Sequence, residues 1–379
     1  MKNTILQIIT DLMKRVELMK KITKKAKKII LSVFCILIAA VLIIAGVLFF
    51  PLNGSEHIQV WSAGDEFNIS DIQSVEKQEG KEFKIMLITD IQLWTNPVDN
   101  NKAYEQVKSL VEKTKPDLIV TLGDNVSGVT ARFDLPKFIK LMESFEIPWA
   151  PVFGNHDNEI PMNSLNWQGD KYEESEYCIF KKGPSNLYGC GNYVVNITEN
   201  GKPVQSLYLF DNGRYTKYDD GSTKEIYMGY EQIAWYEWNV KGINESAGYT
   251  VPSMTFSHFA QPEMREAIEK YGIKNDDESY TVPDKYGYGK CTYLPGAAPV
   301  KSGFVDKCKE LGSTKYIFCG HDHENDAIIT VDGITYTYGL KTGPSPAPWN
   351  FAEHTGATVI TIGNAENDYS VSMENVVME

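Results

Sequence analysis

The sequence predicts an α/β domain behind one N-terminal transmembrane helix, and three patterns carry that expectation. A run of 22 apolar residues, 29–50, follows a cluster of lysines. Three further apolar runs alternate with helix-like stretches, and each ends in polar residues. The second half of the chain is rich in short strand-like pieces joined by turn signals.

Ser32 is the only markedly polar side chain in 29–50. As a helix rising about 1.5 Å per residue, the run reaches about 33 Å, enough to cross a bilayer. Lys20, Lys21, Lys24, Lys25, Lys27 and Lys28 precede it and belong on the cytoplasmic side by the positive-inside rule, which sends everything after residue 50 to the far side. A cleaved signal peptide is the alternative. Its apolar core would be unusually long, and Pro51-Leu52-Asn53-Gly54-Ser55 offers no small-x-small cleavage site, so a single-pass anchor retained in the cell membrane is favoured. The expected plan is a basic tail over 1–28, the anchor over 29–50, a stalk over 51–80 and one large domain over 81–379.

With 42% hydrophobic and 12% aromatic residues, the 379-residue chain can bury a sizeable core. The formal net charge of -13 is unevenly spread. The first 28 residues hold nine Lys/Arg and two acids, leaving 28 Lys/Arg against 48 acids for the rest. An acidic domain with no basic stripe repels phosphate backbones, which excludes a nucleic-acid-binding role. Nothing in the sequence points to a protein partner. Of six cysteines, Cys35 lies in the apolar run. Cys178 with Cys190, and Cys291 with Cys308, could pair across irregular stretches, while Cys319 ends a strand; disulfides and free buried thiols both fit. No CxxC pair suggests a thiolate zinc site. Asn53, Asn68, Asn125, Asn196 and Asn244 begin Asn-x-Ser/Thr triplets, which matter only in a glycosylating host.

The first run, 83–89, ends in Asp90; a helical stretch over 101–115 leads to 118–122, which ends in Gly123-Asp124. A second helical stretch over 135–145 leads to 149–153, followed by Gly154-Asn155-His156-Asp157. This is the pattern of parallel strands, whose C-terminal ends carry the ligand sites of open sheets. Later strands are expected at 193–197, 206–210, 254–257, 315–319, 327–330, 334–338 and 358–362, with Val331-Asp332-Gly333 as a hairpin turn. Residues 158–190 and 274–300 read as long loops, and the aromatic stretch 230–238 as a core-facing helix.

Four of the six histidines, His156, His258, His321 and His323, directly follow apolar runs. Singly, each reads first as a hydrogen-bonded structural residue. Together with Asp90, Asp124 and Asn155 they form an oxygen-and-nitrogen donor set suited to Mn, Fe or Zn. His57 and His354 have no such context and read as surface or packing residues.

Asp90-Ile91-Gln92, Gly123-Asp124-Asn125, Gly154-Asn155-His156-Asp157, Ser257-His258 and Gly320-His321-Asp322-His323 resemble, in order, the five motifs of calcineurin-like metallophosphoesterases. The resemblance covers about 83–371 and looks closest to the purple acid phosphatase and Dcr2-type branch. It implies a four-layer α/β/β/α sandwich with two mixed sheets and a pair of divalent or trivalent metal ions at the strand ends. Asp124 would bridge the ions, with Asp90 and His323 completing one site and Asn155, His258 and His321 the other. His156 would protonate the leaving group.

Two positions keep alternatives open. Gln92 stands where the first motif usually has His; its amide oxygen is a legitimate ligand of the first site, and the alternative is a hydrogen bond to the attacking water. Asp157 either orients His156 in catalysis or caps a helix start. Ser127 replaces the tyrosine of purple acid phosphatases, so no tyrosinate-ferric complex is implied. Asn125, Glu324, Asn325, Asp326, Lys341 and Thr342 are expected to shape the site. The implied activity is hydrolysis of a phosphorylated substrate outside the cytoplasm, a monoester in preference to a phosphodiester or nucleotide pyrophosphate. The rival of another class is a membrane-displayed binding module that has lost turnover.

Overall fold

The computed structural model describes residues 10–11, 13–15, 24–159, 162–212, 214–217, 223–226, 228–344 and 352–378. Lys20 and Lys21 of the basic tail and residues 160–161 of the expected 158–190 loop lie outside them. The chain forms two compact units, Met1–Phe50 and Pro51–Glu379. In the first, helix α1 (Lys24–Phe49) contains the window Ala26–Val47, which has the length and composition to cross a bilayer and is not buried against protein.

In the second unit, β1 (Gln73–Glu76) precedes β2 (Phe83–Ile88), α2 (Pro97–Thr114), β3 (Leu118–Leu122), α3 (Ala131–Glu143) and β4 (Trp149–Val152). Next come α4 (Leu165–Glu173), β5 (Tyr193–Glu199), β6 (Lys202–Phe210), and the antiparallel pair β7 (Arg214–Lys217) and β8 (Thr223–Ile226). Helix α5 (Tyr230–Ala247), β9 (Ser253–Ser257) and α6 (Pro262–Tyr271) follow. Four two-residue strands come next: β10 (Ile273–Lys274), β11 (Tyr280–Thr281), β12 (Gly287–Tyr288) and β13 (Lys290–Cys291). Helix α7 (Phe304–Leu311) and β14 (Thr314–Cys319), β15 (Ile328–Val331), β16 (Ile334–Tyr338), β17 (Thr355–Ile362) and β18 (Val371–Met378) complete the unit.

The strands make a five-stranded sheet, β18-β17-β2-β3-β4, and an eight-stranded sheet, β1-β5-β6-β9-β14-β16-β15-β12. Strands β2, β3 and β4 are parallel, with β17 antiparallel to β2. In the larger sheet β6, β9, β14 and β16 are parallel. The local reasons are ordinary ones. Helix α2 starts because the Asn96 side chain accepts from Val98 N and Pro97 presets the first turn. Its buried Ala103, Val107, Leu110 and Thr114 fall on one face at helical spacing.

Side-chain alternation assigns the layers. Leu207, Leu209, Phe256 and Phe318 of the larger sheet share one core with Ile85, Leu87, Val120 and helices α2 and α3. Their neighbours Tyr208, Phe210, Ile317 and Cys319 face the opposite way into a second core under α5, α6 and α7. The order helices, sheet, sheet, helices is the four-layer sandwich. Phe256 and Phe318, paired across β9 and β14, stack at 4.9 Å in its centre.

The turn at Asp332 and Gly333 forms as expected: both residues have positive φ, 52° and 79°, and Val331 pairs with Ile334. Elsewhere the structure differs from the sequence reading. Residues 158–190 contain α4, started by the Ser164 hydroxyl, and 274–300 contain the three-stranded sheet β10-β11-β13. In the expected stalk, residues 57–61 are not free of the domain. That segment lies against the domain, with Ser185 N donating to Gln59 O at 2.7 Å. All six cysteines are free thiols; the five after Cys35 are buried. Burial pushes those thiols up, Cys308 to about 12.

Candidate metal centre

Each candidate donor sits just past the C-terminal end of a parallel strand: Asp90 after β2, Asp124 after β3, Asn155 after β4, His258 after β9 and His321 after β14. Both sheets therefore deliver donors to one rim of the sandwich. Asp90, Gln92, Asp124 and His321 hold positive φ values of 54°, 48°, 52° and 72°. Such conformations cost about 1–3 kcal/mol each and persist only where the surroundings enforce them. Here Gln92 N donates to Asp124 O at 2.8 Å, and the Lys341 ammonium, itself buried, donates to Asp90 O at 2.8 Å. The glycines are equally constrained. A Cβ on Gly154 would strike Asp124 Oδ1, and one on Gly320 would strike Thr89 Oγ1.

Two triads of ligand atoms, each within 4.8 Å, form here: Asp124 with His258 and His321, and Asp90 and Asp124 with His323. Asp124 belongs to both. His258 Nε2 lies 3.3 Å from Asp124 Oδ2, and His323 Nε2 lies 3.3 Å from Asp90 Oδ1. Gln92 Nε2 is 3.3 Å from both Asp124 Oδ2 and His323 Nε2. The amide's other end, Gln92 Oε1, is buried without a hydrogen-bond partner, and so is Asn155 Oδ1, while Asp90 Oδ1 and His258 Nε2 have only the 3.3 Å contacts to His323 and Asp124. Leaving a buried polar atom unpaired costs about 1–3 kcal/mol. Two such atoms, beside two more held only by a neighbouring donor of the same set, fit a pair of bound cations, whose coordination would satisfy them. Turning the Gln92 amide end over end exchanges nitrogen for oxygen and adds a donor to the triad of Asp90, Asp124 and His323.

The electrostatics agree with a cation site. Burial alone would raise the Asp90 carboxyl, but His323 and then His258 outweigh it and hold it well below the carboxylate range. Asp124, likewise raised by burial, is drawn down to about 2 by His258. Burial opposes a charge on His258, yet Asp124 and then Asp90 push it up to about 10. The two acids thus favour positive charge at His258, where a bound cation would balance them, so cation uptake competes with protons.

His156 lies at the rim, with Nε2 4.0 Å from Asp124 Oδ2 and Nδ1 3.5 Å from Glu159 Oε2. Its backbone N donates to Asp124 Oδ1 at 2.8 Å. Asp157 is buried and accepts from Asn125 N, Val126 N and Gly154 N at 3.0, 3.1 and 2.8 Å. Its carboxylate thus ties the loop after β3 to the loop after β4, and the carboxylate beside the His156 ring is that of Glu159. Burial, with Asp124 behind it, pushes the Asp157 carboxyl up to about 7.

The calcineurin-like phosphoesterase family model matches residues 83–325, more than half of the chain and all five motifs. The chain belongs to the calcineurin-like phosphoesterases. It is 30% identical over 260 residues to a protein named probable inactive purple acid phosphatase 14 from Arabidopsis thaliana, covering 62% of this chain and 60% of that one. It is 29% identical over 294 residues to phosphatase DCR2 from Saccharomyces cerevisiae, covering 68% and 46%. The chain thus spans roughly half the length of these curated relatives. Among solved structures, a dimetal phosphatase from Danio rerio covers 77% of this chain and 98% of its own, with 11% identity and a TM-score of 0.46. The relatives' names accord with the purple acid phosphatase and Dcr2-type branch.

Of the residues expected to shape this phosphoesterase site, Asn125 Nδ2 donates to Val152 O, and Thr342 Oγ1 donates to Gly356 O. The sequence reading missed Thr89, whose hydroxyl donates to Asp90 Oδ2 at 2.7 Å. It also missed Asp322, which accepts from Tyr338 OH and from Gly296 N and so anchors the turn between His321 and His323. The residue type and place of Thr89, directly before a strand-end aspartate, was the available signal. His354 and Glu353 line a cavity that includes His323. No local pattern announces them, because β17 reaches the site only through its place in the sheet.

Proposed function

We propose that this protein is a metal-dependent hydrolase of phosphoric monoesters, anchored by α1 with its phosphoesterase domain on the extracytoplasmic side. The observation that carries this reading is the membership of Asp124 in both donor triads. Asp90, Gln92, Asp124 and His323 would hold one ion, and Asp124, Asn155, His258 and His321 the other. Mn, Fe or Zn suits such donors. When bound, the ion pair polarises the phosphoryl oxygens and lowers the pKa of water.

The chain's own residues supply the rest. An oxygen of water bonds to phosphorus, the ester P–O bond breaks, the leaving alkoxide takes a proton from His156, and the proton shed by the water passes to solvent, which recharges the imidazole. Glu159 Oε2, 3.5 Å from Nδ1, orients that ring, and Asp157 fixes the loop that presents it. Lys341 and Thr89 keep the Asp90 carboxylate aimed into the site.

A second reading has support of its own: three relatives from Arabidopsis thaliana are named probable inactive, and Gln92 turns its amide nitrogen toward Asp124 and His323. It is a membrane-displayed binding module. The full chain in detergent with added Mn or Zn separates the two. Turnover of p-nitrophenyl phosphate exceeding that of bis-p-nitrophenyl phosphate is the expected result. Faster diester cleavage would reassign the substrate class, and bound metal with no turnover of either would favour the binding module. The orientation follows from the lysines that precede the apolar run 29–50. Protease added to intact cells should degrade the large domain; survival of that domain would reverse the topology.

A further inference from the structure

The segment that enters the domain is bound to it from its first residues. The apolar run ends at residue 50, yet Leu52 N already donates to Met162 O at 2.7 Å, and Ser164 N donates to Leu52 O at 3.1 Å. Further along, Ser55 N donates to Asp170 Oδ2 at 2.7 Å, and the buried Lys182 ammonium donates to Ser55 O at 2.8 Å. His57 Nδ1 lies 2.8 Å from Gly183 O, and Asn186 Nδ2 donates to Trp61 O at 2.8 Å. At Gly54, whose φ is 68°, the segment runs so close to the domain that a Cβ would strike the Trp167 backbone. Only Pro51 separates the apolar run from the first bonded residue, so no free spacer lets the domain move away from the bilayer surface.

The point of attachment adjoins the catalytic loop. Leu52 bridges to Asn163, and the Gln168 amide donates to Asn163 O at 3.1 Å and to Asp157 O at 2.5 Å. One side-chain nitrogen thus joins the residue beside Leu52 to the residue after His156. A strand spacing and a few backbone steps keep His156 within about 20 Å of Leu52. On the bound segment, Ile58 and Val60 are 86% and 64% exposed, apolar side chains that a headgroup layer would cover.

We propose that the substrate is a lipid phosphate, a monoester whose alcohol is embedded in the bilayer and which reaches the metal centre from the His156 side. The inference rests on the hydrolase and anchor readings above. A phosphate carried by a lipid stays at the surface to which the short attachment confines the rim, whereas a soluble ester gains nothing from that attachment. Water's oxygen bonds to phosphorus, the bond from phosphorus to the lipid oxygen breaks, and that oxygen takes the proton of His156. The proton shed by the water passes to solvent, the lipid alcohol remains in the membrane, and inorganic phosphate departs.

The test places the full chain in nanodiscs of phosphatidylcholine containing phosphatidic acid, with added Mn. Phosphate release from that lipid is compared with release from glycerol 3-phosphate, its soluble counterpart, at equal total ester concentration. The parent favours the lipid by about tenfold or more, the gain of a substrate confined beside its site. A Gly/Ser spacer of about 20 residues inserted between Phe50 and Pro51 has a root-mean-square length of about 25 Å, enough to free the rim from the surface. It lowers the lipid rate several-fold and leaves the glycerol 3-phosphate rate at the parent value, which also shows that the domain is intact. A lipid preference that the spacer leaves unchanged overturns the inference. Hydrolysis of glycerol 3-phosphate with no preference for the lipid removes this inference alone and leaves the hydrolase reading standing. If no phosphoester is turned over, both fall together.

Discussion

Asp124→Asn is expected to leave the domain folded while removing bound metal and lowering kcat by roughly 10³-fold or more, the scale of losing several kcal/mol of metal-borne stabilisation. The asparagine is isosteric. Its oxygen can keep the hydrogen bond that Asp124 Oδ1 accepts from His156 N, and it adds no atom against Gly154. The change falls at Oδ2, where an amide nitrogen would face His258 Nε2 and Gln92 Nε2 instead of a carboxylate oxygen. Because Asp124 serves both triads, a single substitution affects two ions. Elemental analysis of the purified variant reads this directly. Two ions still bound at parent affinity, with kcat near the parent value, would show that the carboxylate does not bridge.

The second large effect belongs to His156. In His156→Ala both ions stay, because the ring is outside the two donor triads, but general acid assistance is lost and kcat falls by roughly 10²–10⁴-fold. The loss depends on the leaving group. An alkyl phosphate, whose alkoxide needs the proton, suffers more than p-nitrophenyl phosphate, whose phenolate departs readily without it. A purely structural role would slow both esters alike. Equal losses for the two substrates, or an alkyl phosphate turned over at the parent rate, would remove His156 from the role of acid. The 29% exposure of its side chain is consistent with a group that faces an arriving ester, whereas His258 at the same rim is fully buried.

Much of the fold was legible because its signals are local. The apolar runs at β3 and β4 are buried along their whole length and that at β2 everywhere but Lys84, and the pairing of Asp332 with Gly333 dictates a two-residue turn. The expected loops went astray where short-range signals compete. Ser164 starts a nine-residue helix in a stretch that otherwise reads as Gly- and acid-rich connection, and two-residue strands such as β11 and β13 are too short to show a period. The cysteine pairs were undecidable from spacing, since whether Cys178 meets Cys190 depends on where two distant segments pack.

The candidate site divides along the same line. By itself the sequence determined which donors exist and that each follows a strand, because parallel strands carry their C-terminal residues to one edge whatever the loops do. Only the tertiary structure decided how those donors share space. It put Asp124 between the histidines of one sheet and the acids of the other, gave the Asp157 carboxylate to backbone amides, and brought Glu353 and His354 to a cavity with His323. The physical reason is that periodicity and motif order describe one element at a time, while a ligand atom's neighbours are set by two sheets packing through their shared core.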